Sequence, residues 1–97
     1  MAFEWDPDKD QENQAKHGLA FDEAKALFTS GVDYLDIYDV DHSEDEDRFI
    51  AIGPIARGIV VVVYTDRLHR VRRLISARPA GPAEEELFLR SISGEGS

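Results

Sequence analysis

Residues 59–65 read Ile-Val-Val-Val-Val-Tyr-Thr, and this stretch decides the fold. Its side chains are almost all apolar on consecutive positions, so both faces of a strand formed here would be buried. Such a pattern is typical of a central strand in a sheet. Before it, Arg57-Gly58 fits a hairpin turn, and Arg48 to Ile55 alternates as a neighbouring strand that Pro54 is expected to end.

A third strand is predicted on the other side, from His69 to Arg78, after a turn at Asp66 to Leu68. Strict alternation divides its side chains between two faces. One face carries Val71, Arg73, Ile75 and Ala77, and the other carries Arg70, Arg72, Leu74 and Arg78.

The flanking segments supply a fourth strand, a short fifth one and three helices. Val32 to Asp39 alternates loosely as an edge strand whose acids, at positions 33, 36 and 39, discourage pairing with another chain. Ala2 to Trp5 is predicted as a short strand. The helices are predicted from Pro7 to His17, capped by Asp6 and Gly18, from Phe21 to Thr29, and from Pro82 onward with Leu87, Phe88 and Ser91 as its packing face.

The predicted fold is therefore α+β: a small antiparallel sheet of three to four strands plus the N-terminal one, flanked by two N-terminal helices and one C-terminal helix. The 97 residues suit one domain, over 1–92, with a polar tail at 93–97. The chain has no cysteine, which excludes a disulfide scaffold and a thiol nucleophile. No apolar run approaches the ~20 residues of a membrane span, and the acidic N-terminus does not resemble a signal peptide, so a cytoplasmic protein without membrane contact is expected.

The net charge of −9 is unevenly distributed. Residues 1–47 carry 15 acidic and 3 basic side chains. Residues 48–78 carry 1 acidic and 7 basic side chains, and residues 79–97 carry 4 acidic and 1 basic side chain. Nucleic-acid binding depends on cations that displace counterions from phosphate. The basic middle segment is thus where an anionic partner would bind, whereas the acidic segment Val40 to Asp47 is predicted as a solvated loop that lacks the spacing of a calcium site.

The residues also resemble a known family, through a series of short motifs in the right order over about residues 3 to 88. Each motif is weak alone and specific in series. They are Phe3-Glu4-Trp5-Asp6, Lys9, Asn13, Lys16-His17-Gly18, Phe21 with Ala24, Phe28, Arg48-Phe49, Ile52-Gly53, Val63-Tyr64-Thr65 and Ile75-Ser76-Ala77-Arg78. The family is that of the BrnT toxins of type II toxin–antitoxin pairs.

This resemblance implies a RelE-like ribonuclease that cleaves RNA and inhibits translation. It further implies a BrnA-like ribbon-helix-helix antitoxin that holds the toxin inactive and contacts DNA, so that the toxin meets DNA only indirectly. A heterotetramer is one assembly open to such a pair. We expect the antitoxin to cover the basic segment with acidic residues or to lie across the sheet.

Metal-independent RNA cleavage needs a base for the ribose 2′-hydroxyl, cations for the transition-state charge and an acid for the leaving 5′-oxygen. No cofactor and no metal are predicted, since the histidines lack zinc-site spacing. The candidate catalytic residues are His17, Arg67, Arg78 and Glu84. The candidate RNA-binding residues are Lys16, Arg48, Arg57, Arg70, Arg72 and Arg73.

Each candidate also has a structural alternative. His17 can bind the last carbonyls of its helix, Glu84 can stabilise a helix start, and the arginines can pair with surface acids. Antiparallel pairing is expected to bring Arg67 and Arg78 together at one end of the sheet. A nuclease site built on an arginine cluster at one end of the sheet would be refuted by arginines scattered over opposite surfaces or each neutralised by a neighbouring carboxylate. Phe3 and Trp5 fit the core better than a base-stacking role.

Departures from the family pattern keep a second function open. Where the family has lysines and arginines, this chain reads Pro79-Ala80-Gly81-Pro82-Ala83-Glu84-Glu85-Glu86, Phe88 replaces a common tyrosine, and Arg57-Gly58 reverses the usual order. Loss of about four cations weakens RNA binding by orders of magnitude at physiological salt. The alternative is a catalytically weak or inactive toxin-like protein that binds an antitoxin or a transcriptional repressor.

Overall fold

The computed structural model describes residues 1–94, which form one five-stranded mixed sheet with helices on both faces. No helix in this part of the chain is long and apolar enough to cross a membrane. The elements are β1 (Ala2–Glu4), α1 (Pro7–His17), α2 (Phe21–Ala24), α3 (Ala26–Thr29), β2 (Leu35–Tyr38), a 3₁₀ turn (Val40–His42), β3 (Phe49–Ile55), β4 (Gly58–Arg67), β5 (Val71–Pro79) and α4 (Pro82–Ser93). The predicted α+β class is confirmed.

The strand order is β1-β5-β4-β3-β2, so the valine-rich β4 is the central strand, as its sequence predicts. Strands β2 to β5 are antiparallel, but β1 is parallel to β5, which corrects the expected all-antiparallel sheet. Pro54 does not end β3 and lies opposite Ile59. It is tolerated because β2 pairs with β3 only as far as Leu35↔Ile52, which leaves that edge of β3 free at Pro54.

The β4–β5 hairpin departs from the prediction in two ways. Strand β4 continues through Arg67, and the turn is Leu68 to Arg70, with His69 and Arg70 at φ 65° and 61°. A β-bulge then inserts Ile75, because Val63 faces Ser76 while Tyr64 faces Leu74. One extra residue reverses the alternation beyond it. Ala77 therefore lies on the face of Leu74, opposite to the prediction.

Helices α2 and α3 cover one face of the sheet, and α1 lies beside it along β5. The core there contains Leu19, Phe21, Ala24 and Leu27 against strand residues such as Tyr64, and Phe3 and Trp5 pack against it. The predicted second helix is interrupted at Lys25, whose carbonyl accepts from Phe28 N–H in an i to i+3 bond. Helix α3 and the segment before β2 approach β3 closely at Gly53, where a Cβ would lie 2.7 Å from Leu27 Cδ1 and 2.8 Å from Tyr34 Cβ.

Helix α4 covers only part of the opposite face, through a small cluster of Phe88, Ile52 and Val61. Phe88 packs as predicted, but Leu87 and Ser91 are exposed. The predicted tail begins inside α4, which extends to Ser93 and is capped by the left-handed Gly94. The rest of that tail, residues 95–97, lies outside the described residues.

Candidate nucleic-acid interface

Helix α1 is held against the free edge of β5 by Asn13. Its Nδ2 donates to the carbonyl oxygens of Ala77 and Leu19 at 2.7 Å, and its Oδ1 accepts from Ala77 N–H at 3.1 Å. The buried Asn13 amide thus hydrogen-bonds the backbone N–H and C=O of Ala77, at an edge of β5 that β1 does not reach. As a result, one side of α1 lies along β5 beyond the last residue of β1.

Two adjoining clefts follow β5 on this side, and we call them together the basic groove. The first, of about 180 Å³, is lined by Lys9, Glu12, Asn13, Lys16, His17, Ile75 and Ser76. The second, of about 160 Å³, is lined by Asp6, Lys9, Glu46, Arg48, Arg73, Leu74 and Ile75. Lys9 and Ile75 belong to both clefts, so the groove is continuous along the bulged part of β5.

The cations of the groove differ in how they are paired. Within the described residues, Lys9, Lys16 and His17 form no ion pair with a carboxylate. Arg48 Nη2 is 3.9 Å from Glu46 Oε1, and its buried Nε has no hydrogen-bond partner. Lys9, Lys16 and Arg48 can therefore bind an anion without first losing a short ion pair.

Arg73 and Arg67 belong to a chain of alternating charges at one end of the sheet. Arg73 Nη1 donates to Glu4 Oε2 at 2.6 Å, and the same oxygen is 3.9 Å from Arg67 Nε. Arg67 Nη2 is in turn 3.8 Å from Glu46 Oε2. The order Arg73, Glu4, Arg67, Glu46, Arg48 shares two carboxylates among three guanidinium groups, and Asp47 and Asp66 line the same surface beside Arg67, so this end is not basic.

Arg78 and Glu84 form a bidentate pair between β5 and the first turn of α4. Arg78 Nη1 donates to Glu84 Oε1 at 2.7 Å, and Nη2 donates to Oε2. The hydrogen bonds from Arg78 lower the pKa of Glu84, and Gly81 N–H, which donates to Oε1 at 2.9 Å, acts in the same direction. The same pair raises the pKa of Arg78. Glu84 is therefore ionised at neutral pH and orients Arg78, so it cannot supply a proton there.

Arg67 and Arg78 do not come together, contrary to the sequence-based expectation. Arg67 of β4 pairs with Val71 of β5, whereas Arg78 of β5 pairs with Val61 of β4. Arg67 and the pairing partner of Arg78 are thus six positions apart along β4. At about 3.3 Å per residue the separation along the sheet is about 20 Å. The expectation was wrong because the hairpin turn lies next to Arg67, whereas Arg78 is at the far end of β5.

Three of the predicted RNA-binding arginines have structural partners outside the groove or lie away from it. Arg72 is buried on the helical face, where its Cζ lies 4.0 Å from the Tyr64 ring centroid and its Nε and Nη2 bind Asp66 at 2.7 and 3.0 Å. Arg57 binds the carbonyl of Gly18 at 2.7 Å. Arg70 is exposed in the hairpin turn. Arg72 is buried, which corrects that prediction, because it shares the face of Leu74, as alternation predicts, and the helices pack on that face.

Lys9 and Ser76 are groove residues that the candidate sets from the sequence left out. A signal was available, because Lys9, Asn13 and Lys16 are spaced i, i+4 and i+7 and therefore share one side of α1. The buried Asn13 marks that side as the one against the sheet. Among residues 1–94 no group of three or more His, Asp or Glu side chains is arranged to hold a metal ion.

Comparisons with known proteins agree with this architecture. The family model described as the ribonuclease toxin BrnT of type II toxin–antitoxin systems matches residues 5–84. The crystal structure of the ribonuclease toxin BrnT from Brucella abortus is similar, with a TM-score of 0.63 and 28% identity over 84% of this chain and 97% of that one. No curated protein matches the chain. The chain belongs to the BrnT family of ribonuclease toxins of type II toxin–antitoxin systems.

Proposed function

We propose that the chain is a metal-independent endoribonuclease toxin and that the basic groove binds the RNA. The observation that carries the proposal is the anchoring of α1 by Asn13, which places His17 and two unpaired lysines beside Ser76. Arg78 follows two residues further along β5. A proton-exchanging group and several cations thus converge on one strip of surface, as cleavage of a phosphodiester requires.

In this mechanism His17 accepts the proton of a ribose 2′-hydroxyl, since histidine exchanges protons near neutral pH. The 2′-oxygen bonds to phosphorus, the bond from phosphorus to the 5′-oxygen breaks, and a lysine ammonium of the groove protonates that oxygen. The products are a 2′,3′-cyclic phosphate and a 5′-hydroxyl end. Lys9, Lys16 and Arg78 balance the charge of the phosphorane-like transition state, with Glu84 as the positioning residue for Arg78. Arg48 and Arg73 bind the flanking phosphates.

The proposal extends to the biological setting. RNA cleavage would inhibit translation in the cytoplasm, and an antitoxin would prevent it. A BrnA-like ribbon-helix-helix partner would account for DNA contact without a DNA-binding surface on this chain, and its dimerisation would give a heterotetramer. What supports these statements is membership of the family, which implies an antitoxin partner.

The test is cleavage of a labelled single-stranded RNA by the purified chain in excess EDTA. We expect a 2′,3′-cyclic phosphate product, and no cleavage of the same oligonucleotide with 2′-deoxyribose throughout. His17→Ala and Lys9→Ala should each reduce the rate by about 10²-fold or more, which is about the contribution of one acid–base or charge-stabilising group. Arg90→Ala, an exposed cation of α4, is the matched control. Equal rates for these variants and the control would remove the groove from the mechanism.

A second candidate function is favoured by the ion pairs themselves. Arg67, Arg73 and Arg78 each have a carboxylate of the same chain within 4 Å, as expected for a toxin-like protein that no longer acts on RNA. Such a protein would bind an antitoxin or a transcriptional repressor without cleavage. It predicts no growth arrest when the chain is induced alone, whereas the nuclease predicts arrest that His17→Ala relieves.

A further inference from the structure

Strand β2 is one of the two edge strands of the sheet. It pairs only with β3, and Asp39 N–H, just beyond the strand, donates to Arg48 O at 2.9 Å. In an antiparallel ladder alternate residues direct both backbone groups to the same neighbour. Leu35 and Ile37 therefore face β3 with their N–H and C=O groups, whereas those of Asp36 and Tyr38 point away from the sheet.

The side chains of β2 extend an apolar surface up to this edge. Leu35 and Ile37 are half-buried and pack against the cluster of Ile52, Val61 and Phe88 beneath α4. Strand addition on β2 would place alternate side chains of the new strand next to Leu35 and Ile37. Apolar side chains on one face of the added strand would then be buried against Leu35 and Ile37 instead of being exposed to solvent.

The charge around β2 selects the occupant. Asp33, Asp36, Asp39 and Asp41 lie in or beside the strand, and no Lys or Arg occurs from residue 26 to residue 47. The Asp36 carboxylate accepts from the Tyr64 hydroxyl at 2.7 Å and that of Asp39 lies 3.0 Å from His42 Nδ1, so Asp33 and Asp41 are the exposed acids of this set without such a partner in the described residues. A second copy of this chain would oppose carboxylates with carboxylates, which destabilises a cross-strand pair. A strand that carries Lys or Arg at alternate positions would instead place cations beside these acids.

We propose that the β2 edge is a docking site, by β-strand addition, for an extended basic segment of the antitoxin that the family implies. The proposal rests on family membership and on the β2 edge, and it is independent of the nuclease chemistry in the basic groove. This placement replaces the expectation that an acidic antitoxin segment covers the arginines. Arg67, Arg73 and Arg78 already have carboxylate partners in this chain, so they offer little free positive charge to such a segment.

The probe is an end-capped nine-residue peptide of alternating Lys and Val, titrated into the ¹⁵N-labelled full chain. We expect saturable amide shift changes centred on Leu35–Tyr38 and slower hydrogen exchange of Asp36 and Tyr38 N–H. The same peptide with N-methyl groups at alternate residues cannot pair along its bonding edge and should not bind. A Glu/Val peptide of equal length should not bind either.

A pair of charge-matched variants separates docking from general attraction. The double variant Asp33→Lys, Asp41→Lys reverses two exposed charges that flank β2 and should weaken binding of the Lys/Val peptide about tenfold. The control Asp8→Lys, Glu85→Lys makes the same change in net charge at exposed positions outside β2 and should leave the affinity within about twofold. Equal losses in the two variants, shifts that spread away from β2, or no binding would overturn the proposal. Concentration-dependent β2 shifts without peptide would indicate a second copy instead. RNA cleavage by the wild type is scored separately, so failure of one proposal leaves the other intact.

Discussion

Replacing Glu84 by Gln tests whether Arg78 takes part in RNA binding. In the folded chain both terminal nitrogens of Arg78 are bound to the Glu84 carboxylate, so a phosphate must displace that carboxylate. The side-chain amide oxygen that Glu84→Gln introduces can still accept from Gly81 N–H, which keeps the start of α4 intact. The substitution therefore removes the competing charge and leaves the positions of β5 and α4 unchanged.

The expected magnitude follows from counterion release. One more phosphate contact in a single-stranded complex makes the slope of log K against log salt steeper by about 0.7. Between about 50 and 200 mM salt the variant should then lose about threefold more affinity than the wild type, and it should bind more tightly at low salt. The assay is fluorescence anisotropy of a labelled, 2′-O-methylated RNA that cannot be cleaved.

Glu85→Gln is the control. Glu85 follows Glu84 in the sequence and is exposed, so this variant removes the same charge without removing a partner of Arg78. Equal salt slopes for Glu84→Gln and Glu85→Gln would refute the idea that Arg78 reaches RNA. Stability provides a second check, since the Arg78 and Glu84 side chains are 42% and 29% exposed and the pair is screened. We expect Glu84→Gln to cost at most about 1 kcal/mol at pH 7. Because the pKa of Glu84 is lowered by folding, this cost should disappear as the pH falls through the folded-state pKa.

Three further predictions concern the scaffold. Gly53→Ala should lower the free energy of unfolding in urea by about 1–3 kcal/mol, because the new methyl group has no space against the helices; Gly81→Ala, where a Cβ would meet only Glu84 Oε1 at 3.7 Å, should cost less. His69 has φ 65°, a left-handed conformation that strains any residue other than glycine, so His69→Gly should raise the free energy of unfolding by about 1 kcal/mol. An unchanged urea midpoint of unfolding would show that this strain is absent. Burial and the hydrogen bond to Asp36 raise the pKa of Tyr64 in the folded chain. The neutral hydroxyl therefore stabilises the fold fully below the pKa of an unfolded tyrosine, about 10, and this stabilisation is lost as the pH rises above it. Tyr64→Phe should flatten that alkaline decrease in thermal unfolding scans.

The sequence predicts those elements whose signal is local. The apolar run in β4, the cap residues Asp6 and Gly18 and the alternation in β2 each identify an element or its limit, and the structure agrees with them. The direction of β1 is not predictable in this way, because three alternating residues are compatible with parallel and antiparallel pairing alike.

The candidate site is less predictable because it depends on register. The bulge at Ile75 moves Arg78 to the face opposite Arg72 and Leu74, and no glycine or proline marks its position. One residue of slip changes the face of every side chain that follows. The ion pairs are equally hidden, since Arg73 and Glu4 are 69 residues apart and meet only through the β1–β5 pairing.

These pairings have a consequence for where activity should be sensitive to substitution. A carboxylate held beside a guanidinium competes with RNA phosphate at high effective concentration, so Arg67, Arg73 and Arg78 contribute less to binding than their number suggests. Lys9 and Lys16 have no such competitor within residues 1–94, so in the proposed complex each phosphate contact with them releases counterions without breaking an ion pair. In a chain of net charge −9, the proposed nuclease should therefore depend most on the groove side of α1 for recognition of RNA.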